Sequence, residues 1–116
     1  MNIYEELDGL LLEILPDVYR TVKVVPTGNK RPGKFIVWRE TTVDTEMASN
    51  SVYAYEHTFS VSVFTKSAPD DVASRVVDLL TKNQFVQSDQ RDLDYDETTG
   101  YHGKYLEFYK IKAKEY

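Results

Sequence analysis

The chain has 116 residues, with 14 Lys+Arg against 19 Asp+Glu and a net charge of −5. It has no Cys, nine Tyr, five Phe and one Trp. The length fits one domain, and a 41% apolar content excludes a disordered chain. The absence of Cys excludes a disulfide framework, a thiol nucleophile and a thiolate metal site, and it fits a reducing compartment. No apolar run approaches the ~18 residues of a membrane span. The acidic start MNIYEELDGLLLEILPDVYR predicts no signal peptide. The negative balance argues against a dedicated nucleic-acid binder, which normally carries a basic surplus.

Ile3, Leu7, Leu10, Leu11 and Ile14 recur at helical spacing and predict an amphipathic helix. Asn2 is placed to cap it, Glu5 and Glu6 suit its first turn, and Pro16 stops it near Leu15. Gly9 inside the stripe suggests close approach to a strand. Tyr19 to Val25 is β-rich, and Thr27 to Lys34 reads as a turn with two Gly and a Pro. Phe35 to Val43 predicts a strand with Ile36 and Trp38 on one face and Phe35 and Val37 on the other. Apolar groups on both faces indicate a central strand or one partly covered by a subunit. Asp44 to Ser51 is polar and lacks a period, which predicts a loop of about eight residues, longer than an ordinary hairpin turn.

Val52 to Lys66 carries the clearest period of two, with Phe59, Val61 and Val63 alternating with Ser60 and Ser62. Its length suggests an arm of a hairpin. Ser67 to Asn83 predicts a second helix, with Ser67 and Asp70 as a capping-box-like start and Asn83 at the left-handed C-terminal position. Phe85 and Val86 begin another strand, a polar hairpin turns around Gly100, and Gly103 to Lys114 forms the last strand. There Leu106 and Phe108 share one face, and Tyr105, Tyr109 and Ile111 the other. The order α-β-β-β-α-β-β predicts a single α+β domain, an antiparallel-type sheet with both helices on one face.

Two near-motifs fail on chemistry. Gly28 to Lys34 satisfies G-x-x-x-x-G-K, but Phe35 stands where Mg²⁺ needs a Ser or Thr hydroxyl. That segment also opens a strand, not a helix whose N-terminal amides hold phosphates. It reads as a basic turn whose Lys30, Arg31 and Lys34 could meet an acidic partner. Asp92, Asp94 and Asp96 imitate an EF-hand start, but Glu97 replaces its Gly and Gly103 its final Glu. Alternation with Leu93 and Tyr95 makes these acids the wet face of a strand.

His57 and His102 form no zinc spacing, and Ser60 and Ser62 lack the strand-to-helix elbow of a catalytic Ser. No catalytic residue, metal ligand or cofactor-binding residue is assigned, and the chain is expected not to be an enzyme. Tyr53, Tyr55, Tyr101, Tyr105, Tyr109 and Tyr116 lie on or beside the long strands, where Tyr serves sheets and interfaces alike.

Taken together, the N-terminal amphipathic helix, FIVWRETTV, the polar loop, YEHTFSVSVFTKS, the helix closing on DLLTKNQFV and the final YHGKYLEFYKI resemble the tail-completion or tail-terminator (head-to-tail joining) proteins of long-tailed bacteriophages. The resemblance spans nearly the whole chain and carries no catalytic signature. Asn83 stands where Gly is common in that family. The resemblance implies a helix-backed sheet that assembles as a homo-oligomer, commonly a six-fold ring. Such a ring caps the tail tube and joins it to the head connector, so the tail tube protein and head connector protein would be partners. It implies inter-subunit or tube contacts at the loop and its flanks: Thr42, Val43, Asp44, Thr45, Glu46, Met47, Ala48, Ser49, Asn50, Ser51, Val52 and Tyr53. It implies a virion location after a host-cytoplasm stage, with DNA passing through the ring without specific nucleic-acid binding. The alternative reading is a stand-alone cytoplasmic α+β interaction module without catalytic activity.

Overall fold

The computed structural model describes residues 2–20, 33–48 and 51–113. Its elements run α1 (Ile3–Leu12), β1 (Val18–Arg20), β2 (Lys34–Ala48), β3 (Ser51–Thr65), α2 (Asp70–Lys82), β4 (Val86–Asp96) and β5 (Tyr101–Ala113). The strands form one five-stranded sheet in the order β1-β2-β3-β5-β4. The predicted α+β class and element order hold. The sheet is mixed, however: β1 runs parallel to β2, while every other pair is antiparallel.

Both helices pack on one face. Ile3, Leu7, Leu11 and Leu15 beside α1's stripe and Val72, Ala73, Val76 and Leu80 of α2 meet Ile36, Trp38, Phe59, Val61, Val63, Leu106 and Phe108 from the sheet. Of the helical stripe read from sequence, Ile3, Leu7 and Leu11 are buried and Leu10 and Ile14 pack half-buried against the core, while Leu15 joins the core from outside that stripe. The alternation in β3 is realised as expected: Phe59, Val61 and Val63 are fully buried under the helices, while Ser60 and Ser62 turn to the opposite side. Neither described helix packs on that opposite side, and Val37, Ser62, Tyr105, Glu107 and Tyr109 on it are half-buried.

The helix ends differ in detail from the sequence reading. Asn2 caps α1 as expected, its Oδ1 accepting from the Glu5 amide at 2.8 Å. α1 ends at Leu12 and continues as turn, short of Pro16. Gly9 makes no close approach: a Cβ built there meets nothing within 4 Å. Its replacement therefore costs nothing in packing and removes the extra backbone freedom that glycine loses on folding. Gly9→Ala is expected to stabilise the protein by about 0.5–1 kcal/mol, read as an upward shift of the thermal midpoint.

α2 starts at Asp70 with Pro69 in the N-cap position and no side-chain cap, so Ser67 does not serve that role. At the other end, Gln84 takes the left-handed conformation (φ 74°) expected for Asn83, whose φ is −101°. The Phe85 amide bonds the Leu80 carbonyl at 3.0 Å and the Gln84 amide the Thr81 carbonyl at 3.2 Å, while Leu80 and Phe85 are both buried. That is a Schellman ending with its usual apolar contact. It reaches one residue further than Asn83 alone suggests.

The largest departure concerns Asp44 to Ser51. Asp44 to Ala48 lie on β2 and Ser51 opens β3, so only 49–50 connect them. The eight-residue loop is instead the end of a hairpin paired from Lys34↔Thr65 to Ala48↔Ser51. Each strand has 15 residues, roughly 50 Å at strand rise, which accounts for principal extents of 54 × 23 × 23 Å. The turn at 27–32 and the expected strand beyond Arg20 lie outside the described residues.

At the other tip, residues 97–100 turn around Gly100 (φ 77°) as predicted, with the Asp96 carboxylate accepting from the Thr98 amide at 3.0 Å. Gly103 is a different case. A Cβ there would lie 2.9 Å from Leu93 Cδ1 and 3.1 Å from both Leu93 Cβ and Phe64 Cε1. Gly103→Ala is expected to cost about 1–3 kcal/mol through overpacking, measured by chemical denaturation.

Candidate functional site

The β2–β3 hairpin carries the residues singled out from sequence. Thr42, Val43, Asp44, Thr45, Glu46, Met47 and Ala48 lie on β2, and Ser51, Val52 and Tyr53 on β3; Ser49 and Asn50 lie outside the described residues. Thr42 to Thr45 and Met47 are exposed, with Val43 at 44% and Met47 at 56%. The structure thus brings this set together as one two-stranded arm. Register irregularities at Glu40/Thr42 and Glu46/Met47 interrupt its ladder, and such bulges bend and twist a strand. Lys34 is exposed at the opposite end of β2, about one strand length away, while Lys30 and Arg31 lie outside the described residues.

The arm leaves the core at a polar cluster that sequence reasoning missed. Glu40 accepts from the Tyr4 hydroxyl at 2.9 and 3.1 Å through its two oxygens, and its Oε2 lies 2.7 Å from His57 Nδ1. His57 stacks on Phe59 at 6.2 Å, and the Arg20 guanidinium lies 4.6 Å from the Tyr4 ring centre and 5.1 Å from that of Trp38. Trp38 donates to Asp8 Oδ1 at 3.0 Å. The N-terminal half of α1 is therefore tied to β2 and β3 where the exposed arm begins. A signal for this existed: Glu40 follows Ile36 and Trp38 at two-residue spacing, and His57 precedes Phe59 by two. Both fall on the core face, where polar groups require partners.

A second clamp joins the helices to β5. Lys110 Nζ bonds Glu6 Oε1 of α1 and the Asn83 carbonyl, each at 2.9 Å, and lies 4.7 Å above the Phe85 ring. Lys104 bonds Asp70 Oδ1 at 2.8 Å and reaches Asp92 Oδ1 at 3.6 Å, linking α2, β5 and β4. Asp92, Asp94 and Asp96 occupy β4, but a register shift between Leu93 and Asp96 breaks the simple alternation expected of them. Among the described residues, no group of three or more His, Asp or Glu side chains is placed to hold a metal ion. Likewise, no described helix is long and apolar enough to cross a membrane.

Burial and the Glu40 carboxylate push the Tyr4 hydroxyl's pKa above its ordinary 10.0, against a smaller opposing effect of Arg20. Tyr105 is raised by burial and by Glu107 beside it. Asp70 raises Lys104 above 10.5 against the opposing effect of burial, with Asp92 adding to the rise. Each group holds its proton more tightly folded than unfolded. Their stabilisation is therefore complete below the ordinary values and lost as pH climbs past about 10. Thermal midpoints are expected to fall from pH ~9 to ~11, and Tyr4→Phe is expected to flatten that fall.

No family model matches the chain, and no curated protein sequence matches it. Solved structures do: 28 chains match. One belongs to the "Virion of native gene transfer agent (GTA) particle", with a TM-score of 0.51 and 18% identity, covering 96% of this chain and 91% of that chain. At that identity the likeness establishes a shared fold. It extends over both helices and the sheet, since so little of either chain is left unmatched.

Proposed function

We propose that the chain is a structural virion subunit that acts at the junction of a phage-type head and tail. In this reading it completes or terminates the tail tube and attaches it to the head connector as an oligomeric ring. The observation that carries the reading is the likeness in fold, across 96% of the chain, to a chain of a gene transfer agent virion. The architecture is suited to it. A helix-backed sheet leaves one broad face and a long exposed arm for neighbours, and heterologous contacts between copies close into a ring when the rotation allows. The mechanism is assembly without chemistry or cofactor: the arm and the helix-free face dock on the next copy, the tube or the connector. The net charge of −5 favours free passage of DNA, because like charges repel.

The reading is tested by mixing purified protein with filled heads and with tails made in its absence. Joined particles should appear in proportion to added protein. Joining at the same rate without it would remove the role.

A further inference from the structure

The two ends of the sheet carry side chains of opposite sign. β4 closes one end and pairs with β5 alone among the described residues. Asp89, Asp92 and Asp94 are exposed along it. Asp89 accepts from the Gln90 amide at 2.8 Å, Asp92 reaches Lys104, and Arg91 lies 4.5 Å from the Tyr105 ring centre. At the other end, the sequence from Val18 to Arg39 holds Arg20, Lys23, Lys30, Arg31, Lys34 and Arg39 and no Asp or Glu. Of these, Arg20, Lys34 and Arg39 are described, and all three are exposed. Lys34 and Arg39 bracket the stretch Ile36 to Trp38 on which β1 pairs.

The strand register aligns the two sets. Arg39 pairs with Ser60, Ser60 with Glu107 and Glu107 with Asp89, so Arg39 and Asp89 share one cross-strand row. Lys34 pairs with Thr65 and Thr65 with His102, which falls between the partners of Leu93 and Asp96, so Asp94 stands at the row of Lys34. Both pairs are spaced five positions along their strands, roughly 17 Å. Within one copy β2 and β4 are three strand spacings apart, roughly 14 Å, beyond the ~8 Å over which charges act through physiological salt. The acids and cations are therefore too distant to attract each other inside one chain. A second copy laid alongside brings them together in register.

We propose that the β4 edge of one copy docks against the β1 side of a second copy, with Asp89 and Asp94 facing Arg39 and Lys34. The contact rests on the ring reading above and names the surfaces between its subunits. It is heterologous, the type that closes rings. An open strand edge is a template for another chain, and like charges set directly opposite each other are destabilising. Two β4 edges would oppose their acids. A symmetric dimer through β4 is therefore disfavoured, and the basic side of another copy is favoured.

The test follows the isolated full chain by sedimentation equilibrium at about 50 mM and about 500 mM salt. Wild-type protein should associate at low salt and at least about three-fold more weakly at high salt. Asp89→Lys/Asp94→Lys and Lys34→Glu/Arg39→Glu should each associate about tenfold more weakly alone. Their mixture should return to within about three-fold of wild type, because each altered surface then meets one of opposite sign. The first variant moves the net charge from −5 to −1, a change that by itself favours association. Its weakening therefore reports the edge and not the overall charge. Should either double variant fail to fold, Asp94→Lys and Arg39→Glu take their places. Wild-type protein that stays monomeric at low salt up to its solubility limit, variants that associate as wild type does, or a mixture no tighter than its components would each overturn the proposal. Joining of heads to tails is not measured here, so such a result leaves the virion reading standing.

Discussion

Phe59→Ala is expected to lower the thermal midpoint by roughly 10–20 °C, corresponding to about 3–5 kcal/mol. Phe59 is fully buried. Its ring centre lies 5.9 Å from Trp38, 6.1 Å from Tyr4, 6.2 Å from His57 and 6.3 Å from Phe85. It is thus the point where α1, β2, β3 and the segment after α2 converge. Removing the ring forfeits its transfer free energy and leaves a cavity, because neighbours fixed on three elements cannot collapse into it. It also takes away the surface on which His57 stacks beside Glu40. Since domain stability is about 5–15 kcal/mol in total, the variant should be close to unfolding near body temperature. Arg39→Ala, an exposed change on the same sheet, should stay within about 0.5 kcal/mol. A Phe59→Ala midpoint shift no larger than that of Arg39→Ala would show that the core is not centred here.

Replacing residues 47–53 with Asn-Gly is expected to abolish joining of heads to tails while leaving the midpoint within a few degrees. Glu46 and Ala54 are direct cross-strand partners, so a two-residue turn of the type that suits hairpins closes the shortened arm in register. Among its described side chains, the removed segment contributes Met47, which is exposed and apolar, and nothing to the buried core cluster. A cut restricted to residues 45–50 is a poorer test. It would join Asp44 to Ser51 and break the pairing of Thr45 with Tyr55 and of Glu46 with Ala54. Normal joining by the shortened protein would take the arm out of the mechanism.

How far these features could be read from sequence follows from where side chains meet the core. The period of two in Phe59, Val61 and Val63 and the helical stripe of Ile3, Leu7 and Leu11 are strong because each apolar residue faces one packed layer. The arm gave no such signal. Thr42 to Thr45 lie outside the cover of the helices, so neither face selects apolar residues, and the cross-strand ladder that holds them leaves no trace in hydropathy. The bulge at Glu40/Thr42 also shifts which residues share a face, which disguises any residual alternation. The stretch was therefore legible as one without a core-facing pattern, but its extended, paired conformation was not.

The parallel pairing of Val18 to Arg20 with Ile36 to Trp38 was hidden for another reason: three residues carry too little pattern to show direction. The Tyr4–Glu40–His57 cluster and the close contacts of Gly103 each draw on positions distant in sequence. Only the sheet order, with β5 placed between β3 and β4, brings Gly103 beside Phe64 and Leu93.

The central claim is that this chain joins heads to tails. The most direct measurement is electron microscopy of particles assembled in a host with the chain's gene deleted, with and without the gene restored. The account predicts DNA-filled heads and separate tails, with joined particles recovered on restoration. Normal numbers of joined particles in its absence would contradict it.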